Sequence, residues 1–248
     1  SWDAFGQSIA LYRGEKMDVP IKVWAMSQTI PATAIHHREY QQALTEIISE
    51  FGVESLLISS LIGQSLDALR VDLPITFVCH DFYPFCPAIV ATFESPCSAC
   101  DSPAQANCRK NNPHHRFFDN EDDLHWDLLR PEFIALIARD NIEVVVPSKS
   151  VIYRFNKLVP EFKSKKFNVI EHGLGADLIE ALEPAKHRSR SGSGRMSIVI
   201  LGSLAKIKGE EIFKAALPDL IKFANIHLIG CGDSGEAYEK FDSVSVVK

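Results

Sequence analysis

A histidine and an aspartate, His80 and Asp81, directly follow an apolar run over 75–79 that is typical of a buried strand. Ligands of open parallel sheets bind at the carboxyl ends of the strands, so these two side chains are candidate catalytic residues. A structural interpretation stands beside this one, in which Asp81 caps the next turn and His80 fills a surface gap. The pair alone does not separate the two.

A second candidate is the turn over 202–209, which joins an apolar run to a helical pattern. The positive N-terminal end of a helix attracts phosphate, and a lysine beside it adds a point charge suited to a diphosphate. The candidate phosphate-binding residues are Gly202, Ser203, Lys206, Lys208 and Gly209. A solvated lysine pair in front of a helix is the plainer interpretation.

A third candidate is a cluster of cysteines, because four of the six in the chain stand within 23 positions, at Cys86, Cys97, Cys100 and Cys108. One Cys-x2-Cys pair with two further cysteines fits tetrahedral zinc ligation, which can order a segment that has little core of its own. Two disulfides are the rival in an oxidising compartment, and an iron–sulfur cluster comes third. His114 or His115 is close enough in sequence to replace one thiolate.

A fourth candidate, Glu171-His172-Gly173, follows another predicted strand. A glycine at such a place lets a ligand or a facing domain approach the backbone. Without further context the segment is simply a turn.

The composition is that of an ordinary globular protein. The chain has 248 residues, a net charge of −6 and 46% hydrophobic residues, which excludes disordered and collagen-like classes. Apolar runs stay far below the roughly 20 residues that span a bilayer. The acidic balance argues against nucleic acid as a partner. The start, Ser1-Trp2-Asp3, lacks an initiating Met and a basic region, so we expect no signal peptide and a chain cut from something longer.

Strand-like and helix-like patterns alternate along the chain. The predicted strands are 21–25, 55–58, 75–79, 142–146, 167–170, 197–201 and 226–229. The predicted helices are 38–51, 61–69, 132–139, 148–158 and 210–217. This alternation predicts parallel strands with helical crossovers, and hence an α/β fold of two doubly wound Rossmann-like units, the second incomplete.

The predicted domain organisation follows the same pattern. Residues 1–185 form the first domain, with an irregular, cysteine-containing insertion over about 82–126 that is too long for a bare loop. Residues 186–195 are polar and rich in Gly and Ser, which is typical of a linker. Residues 196–248 begin a second domain and are too few to complete one of this kind.

Taken in order, the segments resemble one family, the group 1 (family 4) glycosyltransferases of the GT-B fold, over about residues 40–232. The segments that carry the resemblance are His80-Asp81-Phe82 with Cys86-Pro87, Val146-Pro147-Ser148, Val169-Ile170-Glu171-His172-Gly173, the turn 202–209, and Leu228-Ile229-Gly230-Cys231-Gly232. It is strongest to bacterial members that build cell-surface polysaccharide.

The resemblance implies transfer of a sugar from a nucleotide-sugar donor to a glycan or lipid-linked acceptor, with retention of anomeric configuration and without a catalytic metal. The N-terminal domain would bind the acceptor and the C-terminal domain the nucleotide sugar. By analogy His80 reaches the donor sugar, Lys208 neutralises the diphosphate leaving group, and Glu171 to Gly173 line the cleft. Such a charge clamp works because negative charge grows on the leaving phosphate in the transition state.

The sequence departs from the family pattern at two places. Ser203 stands where the family has an arginine, so one phosphate contact is missing unless Lys206 supplies it. The family's paired glutamates, which contact the donor, would fall beyond Lys248. We therefore expect an excerpt of a transferase that is inactive by itself.

The alternative is a non-catalytic module of degenerate transferase fold that binds a sugar or a nucleotide, and a third hypothesis makes the cysteine loop a redox or metal-sensing insertion. The resemblance also implies a cytoplasmic protein, peripheral at the inner face of the cell membrane where lipid-linked acceptors lie. A basic patch of Lys157, Lys163, Lys165 and Lys166 stands near apolar Phe155, Leu158 and Phe162. A solvated basic face is the favoured interpretation of this patch.

Overall fold

The computed structural model describes residues 2–3, 6–14, 19–112, 122–173 and 194–247. The chain divides into two units, Ser1–Gly173 and Leu174–Lys248. Each contains a parallel sheet, so the chain is a mixed α/β protein, as the alternating patterns predict. Residues 186–193 of the predicted linker lie outside the described part of the chain.

The first unit is built around a parallel sheet. The described strands of the whole unit are β1 (Trp2–Asp3), β2 (Gly6–Leu11), β3 (Lys22–Met26), β4 (Thr33–Ala34), β5 (Leu56–Ile58), β6 (Gln64–Ser65), β7 (Ile75–Val78), β8 (Ile142–Val146) and β9 (Phe167–Val169). The parallel sheet has the order β5-β7-β8-β9. Its inner strand β8 is almost wholly apolar and largely buried, as expected for a strand covered on both faces.

Helices of the first unit connect and cover these strands. They are α1 (Arg38–Phe51), α2 (Ser102–Asn111), α3 (Asp123–Ile137) and α4 (Lys149–Leu158), with short 3-10 turns at Leu66–Leu69 and Pro160–Ser164. The bounds of α1 agree with the prediction, and its C-cap Gly52 is left-handed, with φ 61° and ψ 45°. Glycine adopts that conformation without steric cost, which ends the helix there.

The predicted strand 21–25 forms as β3, but its expected place in a parallel sheet is wrong. β3 pairs antiparallel with β2, which pairs with β1, in a separate sheet of three strands. β2 escapes sequence detection because its first residues, Gly6, Gln7 and Ser8, carry no apolar pattern. Gln7 is nevertheless buried, and its side chain donates to the carbonyl of Gly63 at 2.5 Å.

The predicted helix over 61–69 is also wrong in part. Gly63 has a positive φ of 69°, and the chain then forms the two-residue strand β6 before a single 3-10 turn. Ser65 caps that turn by accepting a hydrogen bond from the amide of Asp67 at 3.1 Å. Local capping therefore replaces the longer helix that the apolar spacing predicts.

Helix α3 begins nine residues before the predicted start at 132. Asp122 caps it by accepting a hydrogen bond from the amide of His125 at 2.7 Å. Two fully buried side chains of α3, Trp126 and Phe133, enter the main core, and the Phe133 ring packs edge-on against Phe77 of β7 at 5.8 Å. The insertion therefore contributes core residues and a helical segment to the unit.

The second unit contains a three-stranded parallel sheet in the order β10-β11-β12. Its elements are β10 (Met196–Leu201), a 3-10 turn at Lys206–Lys208, α5 (Glu210–Phe223), β11 (Ala224–Ile229), α6 (Asp233–Glu236) and β12 (Val244–Val247). Helix α5 packs Phe213 and Leu217 against the sheet, where Ile226 and Leu228 are fully buried. These contacts place the predicted lysine turn at the carboxyl end of β10.

Candidate functional site

Two predicted segments meet at the carboxyl edge of the first sheet. His80 follows β7 and His172 follows β9, and the ladder continues past β9 through the Ile170 amide, which donates to the Val146 carbonyl at 3.0 Å. The two imidazole rings lie nearly parallel, with 5° between their planes and 6.2 Å between their centroids. Both histidines are exposed, so their ring nitrogens are available to a ligand.

Asp81 is half-buried beside His80. Burial raises the pKa of its carboxyl above the ordinary value, while the backbone N–H of Tyr83 and the charge of His80 act in the opposite direction. The Tyr83 amide donates to Asp81 Oδ1 at 2.8 Å, which closes a turn of the kind that the structural interpretation expects. Asp81 thus fixes the start of the loop that carries His80.

A small cavity of about 100 Å³ opens at this edge of the sheet. Its polar lining comes from the ends of β5 and β7, and consists of Ser59, Ser60, His80, Asp81 and Tyr83. Sequence reasoning missed the two serines, although they directly follow a predicted strand of the same sheet. Hydroxyl, carboxylate and imidazole groups together suit a polar ligand with several hydroxyl groups.

Glu171, His172 and Gly173 are all exposed at the end of β9. A Cβ built on Gly173 would have no heavy atom of the described residues within 4 Å. The backbone is therefore open to approach there. Of the three, His172 is the residue that the structure brings to another candidate, His80.

The candidate phosphate turn lies in the second unit. Gly202 and Gly209 both have positive φ, 82° and 91°, which allows the chain to leave β10 sharply and then enter α5. Lys206 and Lys208 are exposed, and Lys208 Nζ lies 3.5 Å from Ser203 Oγ. Ser203 therefore contacts one of the two lysines of the predicted phosphate turn.

Several amides of the turn are already used within it. The amides of Lys208 and Glu210 donate to the carbonyl of Ala205 at 2.8 and 3.2 Å, and that of Gly209 donates to Lys206 at 3.2 Å. The lysine side chains are thus the groups best placed to meet an anion. Lys214 forms ion pairs with Glu210 at 2.9 Å and Glu211 at 3.2 Å, which offsets the negative charge of the first turn of α5.

A second glycine loop lies against this turn. Cys231 Sγ donates to the carbonyl of Gly202 at 2.9 Å, and a Cβ on Gly230 would lie 4.0 Å from the Gly202 amide nitrogen. Ser234 Oγ also accepts a hydrogen bond from the amide of Leu204 at 3.1 Å. The ends of β10 and β11 therefore form one continuous polar edge.

The predicted cysteine ligands lie in one region of the insertion. Cys86 and Cys108 belong to the main core, and Cys97 and Cys100 pack against it half-buried. All six cysteines of the chain lie in the described ranges and are free thiols there. Within those ranges no three His, Cys, Asp or Glu side chains are assembled as metal ligands. His114 and His115 lie outside the described residues.

Burial governs these thiols. It raises the pKa of Cys86 to about 12, against hydrogen bonds from the backbone N–H groups of Ala91 and Ala88. It also raises the pKa of Cys97 and of Cys108. The loop that follows Cys86 holds Ile89 and Ala91 at positive φ, 68° and 49°, which costs about 1–3 kcal/mol each for such residues.

The basic patch is only partly available to a membrane. Phe155 and Phe162 are each 1% exposed and Leu158 is buried, so the apolar residues beside the patch belong to the core. Lys165 Nζ donates to the carbonyls of Arg139 at 2.7 Å and Ile142 at 2.6 Å. None of the described helices combines the length and apolar character needed to cross a bilayer.

Comparison of the chain with protein-family models, with curated proteins and with solved structures finds no match.

Proposed function

We propose that the chain carries parts of both substrate sites of a retaining glycosyltransferase of the GT-B type. The enzyme transfers a sugar from a nucleotide-sugar donor to a glycan or lipid-linked acceptor in cell-surface polysaccharide synthesis. The observation that supports this most is the approach of His80 to His172, 6.2 Å between ring centroids, at the carboxyl edge of a parallel sheet. Two segments that are distant in the sequence converge where ligands of such sheets bind.

In this proposal His80 contacts the donor sugar and His172 lines the same edge. Imidazole nitrogens can donate or accept hydrogen bonds, which suits sugar hydroxyl groups. The neighbouring serines, Ser59 and Ser60, add further hydroxyl groups. Asp81 acts as a positioning residue, because its carboxylate holds the Tyr83 amide and so sets the course of the loop.

In this proposal Lys208 neutralises the negative charge of the nucleoside diphosphate leaving group. Its ammonium group is exposed at the carboxyl end of β10, the side of a parallel sheet on which nucleotides bind. The resembling family has an arginine at the position of Ser203. In this proposal Lys206 makes the phosphate contact of that arginine instead. Two lysines aimed at a diphosphate supply the charge without a catalytic metal, since cationic groups stabilise the negative charge of the leaving phosphates.

The cellular setting follows from the substrates. Donor nucleotide sugars are cytoplasmic in the resembling enzymes, and lipid-linked acceptors lie at the inner face of the cell membrane. We therefore propose a cytoplasmic enzyme with peripheral membrane contact, made by exposed lysines such as Lys157 and Lys163 and not by the buried phenylalanines.

Nucleotide binding tests the proposal directly. Isothermal titration of the full chain with uridine and guanosine diphosphates, and with their sugar conjugates, should show saturable binding of one base type. Lys208→Ala should weaken that binding about 10- to 150-fold, because a charge-assisted hydrogen bond contributes roughly 1.5–3 kcal/mol. Lys222→Ala is the matched control, since Lys222 is exposed in the same unit and pairs only with Asp219, at 2.6 Å, among the described residues.

Two outcomes would count against the proposal. One is a wild-type chain that binds none of the four probes at millimolar concentration. The other is equal loss of binding in Lys208→Ala and Lys222→Ala, which would reduce the lysine turn to a general surface charge.

A further inference from the structure

The insertion contains a group of four thiols that the transferase proposal does not use. We call Cys86, Cys97, Cys100 and Cys108 the cysteine cluster. Cys86 and Cys108 are buried in the main core of the first unit, and Cys97 and Cys100 pack against that same core. Four thiols separated along an irregular loop and a helix therefore share one place in the fold.

Three of the four sulfurs accept hydrogen bonds from N–H groups. The backbone amides of Ala88 and Ala91 donate to Cys86. The backbone amide of Phe93 donates to Cys97. Donors of this kind surround metal-bound sulfurs, where they orient the ligand and stabilise its negative charge.

The third acceptor, Cys108, is held from the end of its own helix. Asn112 Nδ2 donates to Cys108 Sγ at 3.1 Å and to the carbonyl of Thr92 at 2.7 Å. Asn112 is 5% exposed, so this amide is a buried bridge between α2 and the loop that carries Cys97. The bridge holds two parts of the cluster at a fixed spacing.

A buried cation stands beside the cluster. Arg130 of α3 is 7% exposed, and its guanidinium lies 4.2 Å from the centre of the Phe85 ring. Its Nη1 donates to Gln105 Oε1 at 3.0 Å, but its Nε and Nη2 have no hydrogen-bond partner in the described part of the chain. Gln105 belongs to α2, the helix that also carries Cys108. A buried charge without a counter-charge is costly, so the cluster is expected to become negative in the functional state.

A second cation contacts the loop of the cluster. It is Arg154 of α4. Its Nη1 lies 3.3 Å from the carbonyl of Val90 and 3.4 Å from that of Ala91, within the loop that joins Cys86 to Cys97. The guanidinium thus binds the loop and contributes positive charge at the same time.

We propose that the cysteine cluster binds one zinc ion through four thiolates and that the metal holds the insertion in place. On binding, the four thiols release four protons, and the resulting zinc tetrathiolate carries a charge of −2. Arg130 and Arg154 offset that charge, which accounts for a buried Arg130 that pairs with no carboxylate among the described residues. Bound zinc would hold the loop that carries Cys86 and Cys97 to helix α2, which carries Cys108.

Metal analysis of the full chain, purified without chelators, tests the proposal. We expect one zinc per chain, and after cobalt exchange the visible bands of a tetrahedral tetrathiolate site. The double variant Cys97→Ser/Cys100→Ser changes the two less buried thiols and should lose the zinc. Arg130→Gln should weaken zinc affinity about 10- to 100-fold, the range seen when groups that support metal ligands are removed.

The two remaining cysteines provide matched controls. Cys79→Ser lies in the same unit and Cys231→Ser in the other, and both should retain full zinc. If a cluster variant fails to fold, the wild-type protein still decides the question, because stepwise mercurial titration should release zinc only as four thiols react. Zinc-free wild-type protein, bound iron with a visible colour, a mass that shows disulfides, or unchanged zinc in the double variant would each overturn the proposal. None of these measurements depends on nucleotide binding, so this proposal and the transferase proposal can fail separately.

Discussion

The imidazole rings of His80 and His172 lie parallel to within 5°, with 6.2 Å between their centroids. They come from the ends of β7 and β9, which flank β8 in the sheet order. The strand between them therefore sets their spacing. A ligand that contacts both histidines would lie at the carboxyl edge of the sheet, near the end of β8.

This geometry predicts that the ring current of His172 affects the chemical shifts of the His80 ring protons. Removing His172 in His172→Ala should shift the ring-proton resonances of His80 in a one-dimensional or heteronuclear NMR spectrum. His227→Ala is the control, because that ring lies in the second unit and bonds Ser245 Oγ at 2.8 Å. Unchanged His80 resonances in His172→Ala would show that the rings are not neighbours in solution.

Asp81→Asn should raise the free energy of unfolding at neutral pH. Burial raises the pKa of Asp81 in the folded state, so the folded protein holds this proton more tightly than the unfolded chain. The wild-type protein therefore loses stability as the pH rises from the unfolded pKa to the folded one, whereas the neutral amide does not. Urea unfolding at several pH values should show that the free energy of unfolding of Asp81→Asn increasingly exceeds that of the wild type as the pH rises through this window.

Asp81→Ala separates the charge from the turn. An asparagine oxygen can still accept the Tyr83 amide, but alanine cannot, so the alanine variant should lose about 1 kcal/mol relative to the asparagine variant. Equal stability of the two variants would remove Asp81 from its positioning role.

Asp67 should behave in the opposite way. It is 3% exposed, and although burial raises its pKa, hydrogen bonds from the Ser65 hydroxyl, the His37 amide and His36, with the charge of Arg70, lower it overall. Its stabilisation is present above the unfolded pKa of about 3.9 and is lost as the pH falls through the lower folded value.

Asp67→Asn should therefore reduce the free energy of unfolding at pH 7 by about 1.5–3 kcal/mol, the contribution of hydrogen bonds to a charged group. The difference from the wild-type protein should shrink in acid. Asp72→Asn, at an exposed position, should stay within about 0.5 kcal/mol of wild type at pH 7. A pH-independent loss in Asp67→Asn would contradict the assigned ionisation.

Phe133→Ala tests the packing of α3 on the sheet. Phe133 is 1% exposed and contacts Phe77, so its removal should cost about 3–5 kcal/mol in urea or thermal unfolding. Leu124→Ala on the same helix changes a side chain that is 64% exposed, and should cost less than about 0.5 kcal/mol. Comparable losses in the two variants would mean that α3 does not face the core as described.

Elements with clear periodicity were predictable from the sequence. The strand 142–146 and the helix 38–51 agree with the structure, because an unbroken apolar run and a one-sided apolar stripe each favour one conformation. The start of α3 was not predictable in this way, because Pro131 within the helix suggests a beginning at that point. The capping Asp122 is the signal that places it earlier.

The sequence predicts the candidate site residues only to the extent that it predicts where the strands end. Reasoning from parallel-sheet edges places His80 and His172 on one side of the sheet, but the parallel rings depend on the packing of both loops. Arg130 bonds Gln105, and Asp67 bonds His36 and the amide of His37, so both depend on contacts with elements that are distant in the sequence. No local pattern of residue types encodes such partners.

The contact of Arg154 with the carbonyls of Val90 and Ala91 connects two parts of the first unit. Arg154 belongs to α4, and α4 starts three residues after β8, the strand that separates the two histidines. One side chain of α4 therefore connects the insertion to the helix that follows the carboxyl end of β8. Loosening the insertion removes this restraint on α4, so an element remote from His80 and His172 can affect how firmly that edge of the sheet is held.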